Sequence, residues 1–559
     1  MRRIVTLICA IMLAATSMTA RERTESEMLN IARETLFPRD AAKVRGGDLG
    51  LRQVRINRQL GIFAAEGYGF VVINRDDTGR TILGLSATEY DADNLPDGLR
   101  WWIEKTEEAL ANGTGISYYA DILNVDETEE NFITTTWNQN NPYNYKCPLA
   151  TVKGKTSKTP TGCVATALAQ VMNYYKYPAK GRGTSTYSVE DDNGTKEYKA
   201  NVDGIYNYKN LKNNYSSSDT DHEDISTLMF DAGKACKMAY NLSGSGANLF
   251  ACATGTVENL GYDSLALEYY NCSFFDDEEL FTIIRNELLQ RRPIIFGGVD
   301  SVAGGHAFLF TGINTDGKVW VNWGWSGKGD GWYAIDHLRV NEYNFNGNLQ
   351  MLAGFNPQET PSPEEENKSL LFYLPDYELN ISKVGKDILI NPFYYGNYSI
   401  RWFVGYVRMA LENIDKEEIS YCYIHNQKMP IEPLVAYGFE ETKNIGMFYE
   451  GLLPNKMAEG NYRLWVERKA DGESEWKPIK RASDHSIYSW FSVASDGTIT
   501  INNTEPTTEI RSTKADNNSA ATETYDLSGR KLNAQEKGSA NGSRVVIVKN
   551  NATVTKRIQ

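Results

Sequence analysis

The sequence predicts an α+β protein of several domains, and three observations carry that expectation. Helical and strand-type apolar periodicities alternate up to about residue 357. A Pro- and Glu-rich stretch without periodicity, Gln358 to Ser369, then interrupts the chain. From about 370 to 502 short aromatic and β-branched runs replace the mixed pattern, which is the signature of a β-sandwich-like module. At 559 residues the chain exceeds one ordinary domain, and its 41% hydrophobic content suffices for real cores.

Residues 1–20 read as an export signal. Arg2 and Arg3 precede an apolar stretch from Ile4 to Ala15, and small residues follow to Ala20. That core is too short for a permanent span, and no later run reaches ~18 apolar residues, so no integral membrane segment is expected. The expected location is outside the cell or at its surface. A net charge of −14 argues against nucleic acid and anionic membranes as partners.

Residues 21–130 read as a small α+β module. Phe70 to Ile73 and Thr81 to Leu83 are β-branched runs joined by a turn signal at Asp76 to Gly79. After Pro96, the residues Leu99, Trp102, Ile103, Thr106, Ala109 and Leu110 recur at helical spacing. The acidic stretch Asp126 to Glu130 reads as an exposed, cuttable connector. Residues 131–357 hold every candidate for chemistry. In the module at 370–502, Tyr462 to Val466 is a strand run, with a turn at Ala470 to Gly472. A polar stretch, 503–522, leads to a tail at 523–559.

Seven cysteines are present, and Cys9 falls within the leader. The chain has no CxxC and no Cys/His cluster with zinc spacing, so neither a metal nor a cofactor is expected. One cysteine stands apart. In "TPTGCVATALAQVMNYYKYP", Val164, Ala167, Leu168, Val171, Met172 and Tyr175 mark one face of a helix, which puts Cys163 in its first turn. Unpaired N–H groups and the helix dipole favour a thiolate there, and a thiolate is a strong nucleophile. A small buried hydrophobe is the ordinary alternative for a lone cysteine.

A nucleophile needs a proton shuttle. Of the five histidines, His222 and His485 lie in polar settings and read as solvated, while His337 and His425 have no helpful surroundings. His306 follows Gly304 and Gly305 and heads an apolar strand run. It lies 143 residues after Cys163, inside the ~130–150 window of papain-type pairs. Sixteen residues further, Asn322 offers an amide oxygen to fix the imidazole, and the Trp323 indole would shield that bond. Gln139, 24 residues before Cys163, offers an amide for an oxyanion hole with the Cys163 N–H. The "NLSGSGAN" stretch lacks the lysine of a phosphate loop; it lets backbone approach a bound peptide.

Four segments, "TGCVATALAQVMNYYKYP", "NLSGSGAN", "GGHAFLFTGIN" and "VNWGWSGKGDGWYAID", resemble signature segments of the streptopain family of bacterial cysteine peptidases. Residues 21–130, with "YGFVVINRDDTGRTILGLSATEYDADNLPDGLRWWIEKTEEAL", resemble that family's inhibitory propeptide. The resemblance implies a papain-like core, a Cys–His dyad and a secreted zymogen that cleaves proteins and is blocked by its own propeptide. Position by position, it gives Cys163 as nucleophile, His306 as general acid/base and Gln139 as the oxyanion-hole glutamine. Asn322 and Trp323 then flank the catalytic histidine, and Ser243, Gly244, Ser245, Gly246, Ala247 and Gly305 line the substrate cleft. The β module and tail depart from the shortest relatives, and "YDLSGRK … VVIVKN" looks like a C-terminal secretion signal. Acyl transfer by the same dyad, or a surface binding protein with a relic site, are the alternatives.

Overall fold

The structure is a computed structural model that describes residues 21–38, 50–77, 79–112, 123–300, 304–335, 349–357, 371–374, 377–384, 387–439, 457–481, 485–502 and 504–506. In the tail it describes strands at 523–525, 545–550 and 553–558, which form a three-stranded antiparallel sheet. The export signal at 1–20 and the linker at 358–369 lie outside the described residues, as does most of 503–522.

The N-terminal segment begins with α1 (Glu25–Leu36), whose start is fixed by a reciprocal capping box between Thr24 and Glu27. An antiparallel meander follows: β1 (Arg52–Ile56), β2 (Leu60–Ala65), β3 (Gly69–Asn74) and β4 (Ile82–Ser86). Both central strands are buried along their whole length. The strand alternation explains how. Phe63, Ala65, Val71 and Ile73 pack on Met28, Ala32 and Leu36 of α1, while Leu60, Ile62, Phe70 and Val72 belong to the main core on the other face. There they meet α2 (Asp97–Ala111), the helix expected after Pro96, through Leu99, Trp102 and Ile103.

The central region contributes the hairpin β5 (Leu149–Val152) and β6 (Lys155–Lys158), then α3 (Cys163–Tyr175). Strands β7 (Thr184–Asp191) and β8 (Gly194–Asn201) precede α4 (Glu223–Ala235). Next come β9 (Ala239–Tyr240), α5 (Leu249–Glu258), β10 (Glu268–Asn271) and α6 (Asp277–Leu289). The region ends in β11 (Ile294–Asp300), β12 (Gly304–Ile313), β13 (Val319–Asn322), β14 (Gly331–Tyr333) and β15 (Gln350–Ala353). The helix starting at Cys163 is more deeply set than an amphipathic reading implies. Every residue from Val164 to Asn173 is buried, because α3 runs between α4 and β12.

The N-terminal meander and the central strands form one sheet, ordered β1-β2-β3-β4-β14-β13-β12-β11-β15-β10. The seam pairs Gly84, Leu85 and Ser86 with Tyr333, Trp332 and Gly331. Gly331 has no room for a side chain against the Leu85 carbonyl. The connector expected to be open is only partly so. Asp126, Glu127 and Thr128 are exposed, but Glu129 pairs with Ile313 through both backbone bonds and Phe132 donates to Thr311.

The C-terminal module is a sandwich of two antiparallel sheets. Strands Leu371–Tyr373, Phe393–Asn397 and Ala436–Phe439 face a larger sheet of Phe403–Asn413, Glu418–Ile431, Gly460–Ala470, Ser489–Val493 and Ile499–Asn502. Their inward residues, among them Tyr373, Phe393, Val407, Leu464, Val466 and Phe491, form a second core. The module is packed onto the central region: Phe372 lies 4.4 Å from Phe274, and Arg401 pairs with Glu268 of β10. Among the described residues, no helix is long and apolar enough to cross a membrane.

Candidate active site

The start of α3 is shaped by a glycine that nothing else can replace. Gly162 has φ 89°, and a Cβ there would stand 2.7 Å from the Met238 sulfur and 2.9 Å from the Ser245 carbonyl oxygen. This close approach sets Cys163 as the first helical residue, half-buried, beside the 243–247 loop. The backbone N–H groups of Ala307 and Val164 favour the charged form of the Cys163 sulfur, as the helix start does. Burial outweighs them and pushes the thiol above its ordinary value, and the Asp97 carboxylate adds to the rise. The helix start that favours a thiolate is thus opposed here by burial.

His306 is the third residue of β12, half-buried, and stands opposite Gly298 of β11. Gly305, exposed, precedes it opposite Val299. The chain thus brings Ala307, the residue after His306, close to the Cys163 sulfur across 144 residues of sequence. Gln139 joins them from a third segment. Its carbonyl accepts from the Thr161 N–H at 2.9 Å, two residues before the cysteine. Its side-chain amide makes no hydrogen bond among the described residues.

Asn322 and Trp323 take different places from each other. Asn322 lies opposite Leu309 in the β12–β13 register, which puts it on the sheet face away from His306 and Phe308. Its amide is spent there. The nitrogen donates to the Thr135 carbonyl at 2.8 Å and to Gln170 Oε1 at 3.1 Å, and the oxygen accepts from the Gly324 N–H at 3.0 Å. The expectation that this oxygen holds the His306 ring is corrected by that orientation. Trp323 is on the histidine's face, its ring 4.8 Å from Phe308 and its Nε1 donating to the Gly329 carbonyl. The loop residues also divide. Ser245 is buried and its Oγ donates to the Pro160 carbonyl at 2.7 Å, and Gly246 pairs with Ala239. Ser243 and Gly244 are exposed, and Ala247 is half-buried.

The other histidines are less solvated than expected. His222 Nδ1 lies 3.2 Å from the Asp219 carbonyl oxygen with its ring on Tyr145, and His485 pairs with Glu378 at 2.7 Å. His337 lies outside the described residues.

Helix α2 packs against β12 and Trp323: a Cβ on Gly98 would stand 2.8 Å from Trp323 Cε3 and 3.2 Å from Phe308 Cδ1, and the Asp97 charge reaches the thiol. Trp101 fills the space above Gly298, opposite His306, and the Trp102 Nε1 donates to the Ala334 carbonyl at 2.9 Å.

The sequence model of the Peptidase C10 family matches residues 137–333. Streptopain of Streptococcus pyogenes is 30% identical over an alignment of 356 residues that covers 57% of this chain and 89% of that protein. The chain belongs to the Peptidase C10 family. It is a cysteine peptidase. The Thiol protease/hemagglutinin PrtT of Porphyromonas gingivalis is 27% identical over 446 residues, 74% of this chain and 48% of that one. Among solved structures, a prointerpain A fragment from Prevotella intermedia is 32% identical with a TM-score of 0.47, covering 56% of this chain and 99% of the other. Active interpain A of the same organism is 37% identical with a TM-score of 0.35, covering 40% and 94%.

Several residues that shape the site of this C10 peptidase were not found by motif reading. Gln170 is fully buried on α3 and ties Thr135, at 2.9 Å, to Asn322. A polar residue amid "ATALAQVM" was the available signal. Asp330 is buried, accepts from the Trp323 N–H at 2.9 Å, and has its carboxyl pushed up to about 7 by burial. Asp97 and Gly98 carried no signal, because their significance depends on where α2 docks. Among the described residues no cluster of three or more His, Cys, Asp or Glu is arranged to hold a metal.

Proposed function

We propose that the chain is an exported endopeptidase precursor in which Cys163 is the nucleophile, His306 the general acid/base and residues 21–130 the inhibitory propeptide. One observation carries the reading: α2 packs on the histidine strand, with Gly98 against Phe308 and Trp323 and Trp101 against Gly298, the residue opposite His306. A substrate peptide cannot enter while that helix is in place. The Arg2–Arg3 and apolar Ile4 to Ala15 leader supports export.

Departure of the segment returns water to the thiol. The N–H groups of Ala307 and Val164 then act with less opposition from burial, and the thiolate becomes accessible near neutral pH. The thiolate attacks the scissile carbonyl, and the oxyanion is held by the Gln139 amide and the Cys163 N–H. His306 gives its proton to the leaving amine, and then takes one from the water that releases the acyl group. Asn322 acts at a distance, by holding β13 and α3 in register through Gln170.

The test is intact-mass analysis over time, with casein cleavage, for the wild type and for Cys163→Ala and His306→Ala. Both variants are expected to remain full length after leader removal and to leave casein intact. Cleavage at the wild-type rate by either folded variant would overturn the assignment.

A further inference from the structure

Two thiols that the proposed chemistry does not use lie against each other. Cys236 follows the last residue of α4 and Cys252 lies within α5; both are fully buried, both are free, and Cys252 is close enough to influence the ionisation of Cys236. The contact has a builder. Gly255 leaves no space for a Cβ against the Ala235 carbonyl, so the backbones of α4 and α5 touch there. Cys252 precedes Gly255 by one turn on the same helix face, and Cys236 follows Ala235. The glycine therefore presses one sulfur toward the other.

What the pair brackets reaches the start of α3. The chain between them carries Met238, whose sulfur meets Gly162, and Ser245, whose Oγ holds the Pro160 carbonyl. It also carries the exposed Ser243 and Gly244. This loop is the wall against which Cys163 is set.

We propose that Cys236 and Cys252 form a reversible disulfide that ties down the 243–247 loop in an oxidising compartment. One cysteine thiolate attacks the S–S bond of a small-molecule disulfide and releases one donor thiol. The second attacks the resulting mixed disulfide, the Cys236–Cys252 bond forms, and the second donor thiol leaves. Two protein thiols are oxidised and one donor disulfide is reduced. Burial of both sulfurs confines the exchange to the folding chain or to transient opening of α5. The inference stands apart from the peptidase mechanism, since it needs neither Cys163 nor His306.

The test uses the full-length Cys163→Ala protein, refolded with oxidised glutathione, blocked with an alkylating agent, and mapped without reduction. The expected result is a mass lower by two hydrogens, with one bridge joining the peptides of Cys236 and Cys252. Closing a loop of ~15 residues should raise Tm by several degrees, and dithiothreitol should reverse the shift. The Cys252→Ser variant should show neither change. An added protease should nick the exposed Ser243–Gly244 stretch severalfold more slowly in the oxidised protein. Alkylation of both cysteines after oxidative refolding, or a bridge from Cys236 to any other cysteine, would overturn the proposal.

Discussion

The Asp97 carboxylate lies close enough to the Cys163 thiol to raise its pKa, although the two residues belong to different segments of the chain. Burial is the larger cause of that rise, and the two act together. Removing only the charge, by Asp97→Asn, keeps the helix and its packing while the thiol moves back toward its ordinary value. Labelling of Cys163 by iodoacetamide in the intact chain, followed by mass spectrometry at pH 8, is expected to speed up severalfold in this variant. An unchanged or slower rate would show that the carboxylate has no influence on the thiol.

Gly98 gives a steric counterpart to that electrostatic contact. A Leu side chain at this position has to displace Trp323 or Phe308, both packed in the core. Overpacking of this kind costs about 1–3 kcal/mol, and here it falls on the seam between α2 and the sheet. Gly98→Leu is expected to process itself faster than wild type in an intact-mass time course, with peptidase activity per processed molecule unchanged. Slower processing would place the glycine's role in folding and not in release.

Much of this arrangement was legible in the sequence, for identifiable reasons. Cys163 was readable because a helix pattern begins at it, and His306 because two glycines introduce its strand. The partner of Asn322 was not readable. A β-strand alternates faces with each residue, so Asn322 and Trp323 had to diverge, and which one shared the face of His306 depended on a register that only pairing with Leu309 fixes. The fusion of β4 to β14 was equally hidden, since edge pairing is backbone to backbone and leaves little mark on side chains. Gln170 was overlooked for the opposite reason: one amide in an apolar run looks like noise until its partners are known.

Asp330 makes the covered state sensitive to pH. Its carboxyl is pushed up to about 7 by burial, whereas an exposed aspartate titrates near 3.9. The folded form therefore holds a proton that the opened form gives up, and stability falls as pH rises from about 4 toward 7. Asp330→Asn keeps an oxygen to accept from the Trp323 N–H and never ionises. Thermal unfolding of the Cys163→Ala precursor should lose several degrees between pH 5 and pH 8, and the added Asp330→Asn change should flatten that slope. A parallel slope in both proteins would show that Asp330 is ionised in the folded state.

Beside the Phe274–Phe372 contact, a buried charge pair joins the C-terminal module to the central region. Arg401 donates to the carbonyls of Ser264 and Leu265, at 2.7 and 3.1 Å, and pairs with Glu268, whose side chain is 9% exposed. Arg401→Ala leaves Glu268 buried without its counter-charge, which costs about 3–5 kcal/mol at neutral pH. An unpaired buried carboxylate escapes part of that cost by taking up a proton, so the variant's deficit should shrink as pH is lowered toward 5. Replacing both partners by apolar residues, Arg401→Met with Glu268→Leu, removes the charge and should recover most of the loss. Differential scanning calorimetry of the Cys163→Ala background reads all three. A deficit in Arg401→Ala that is independent of pH and not repaired by the double change would mean that the guanidinium serves through its carbonyl bonds alone.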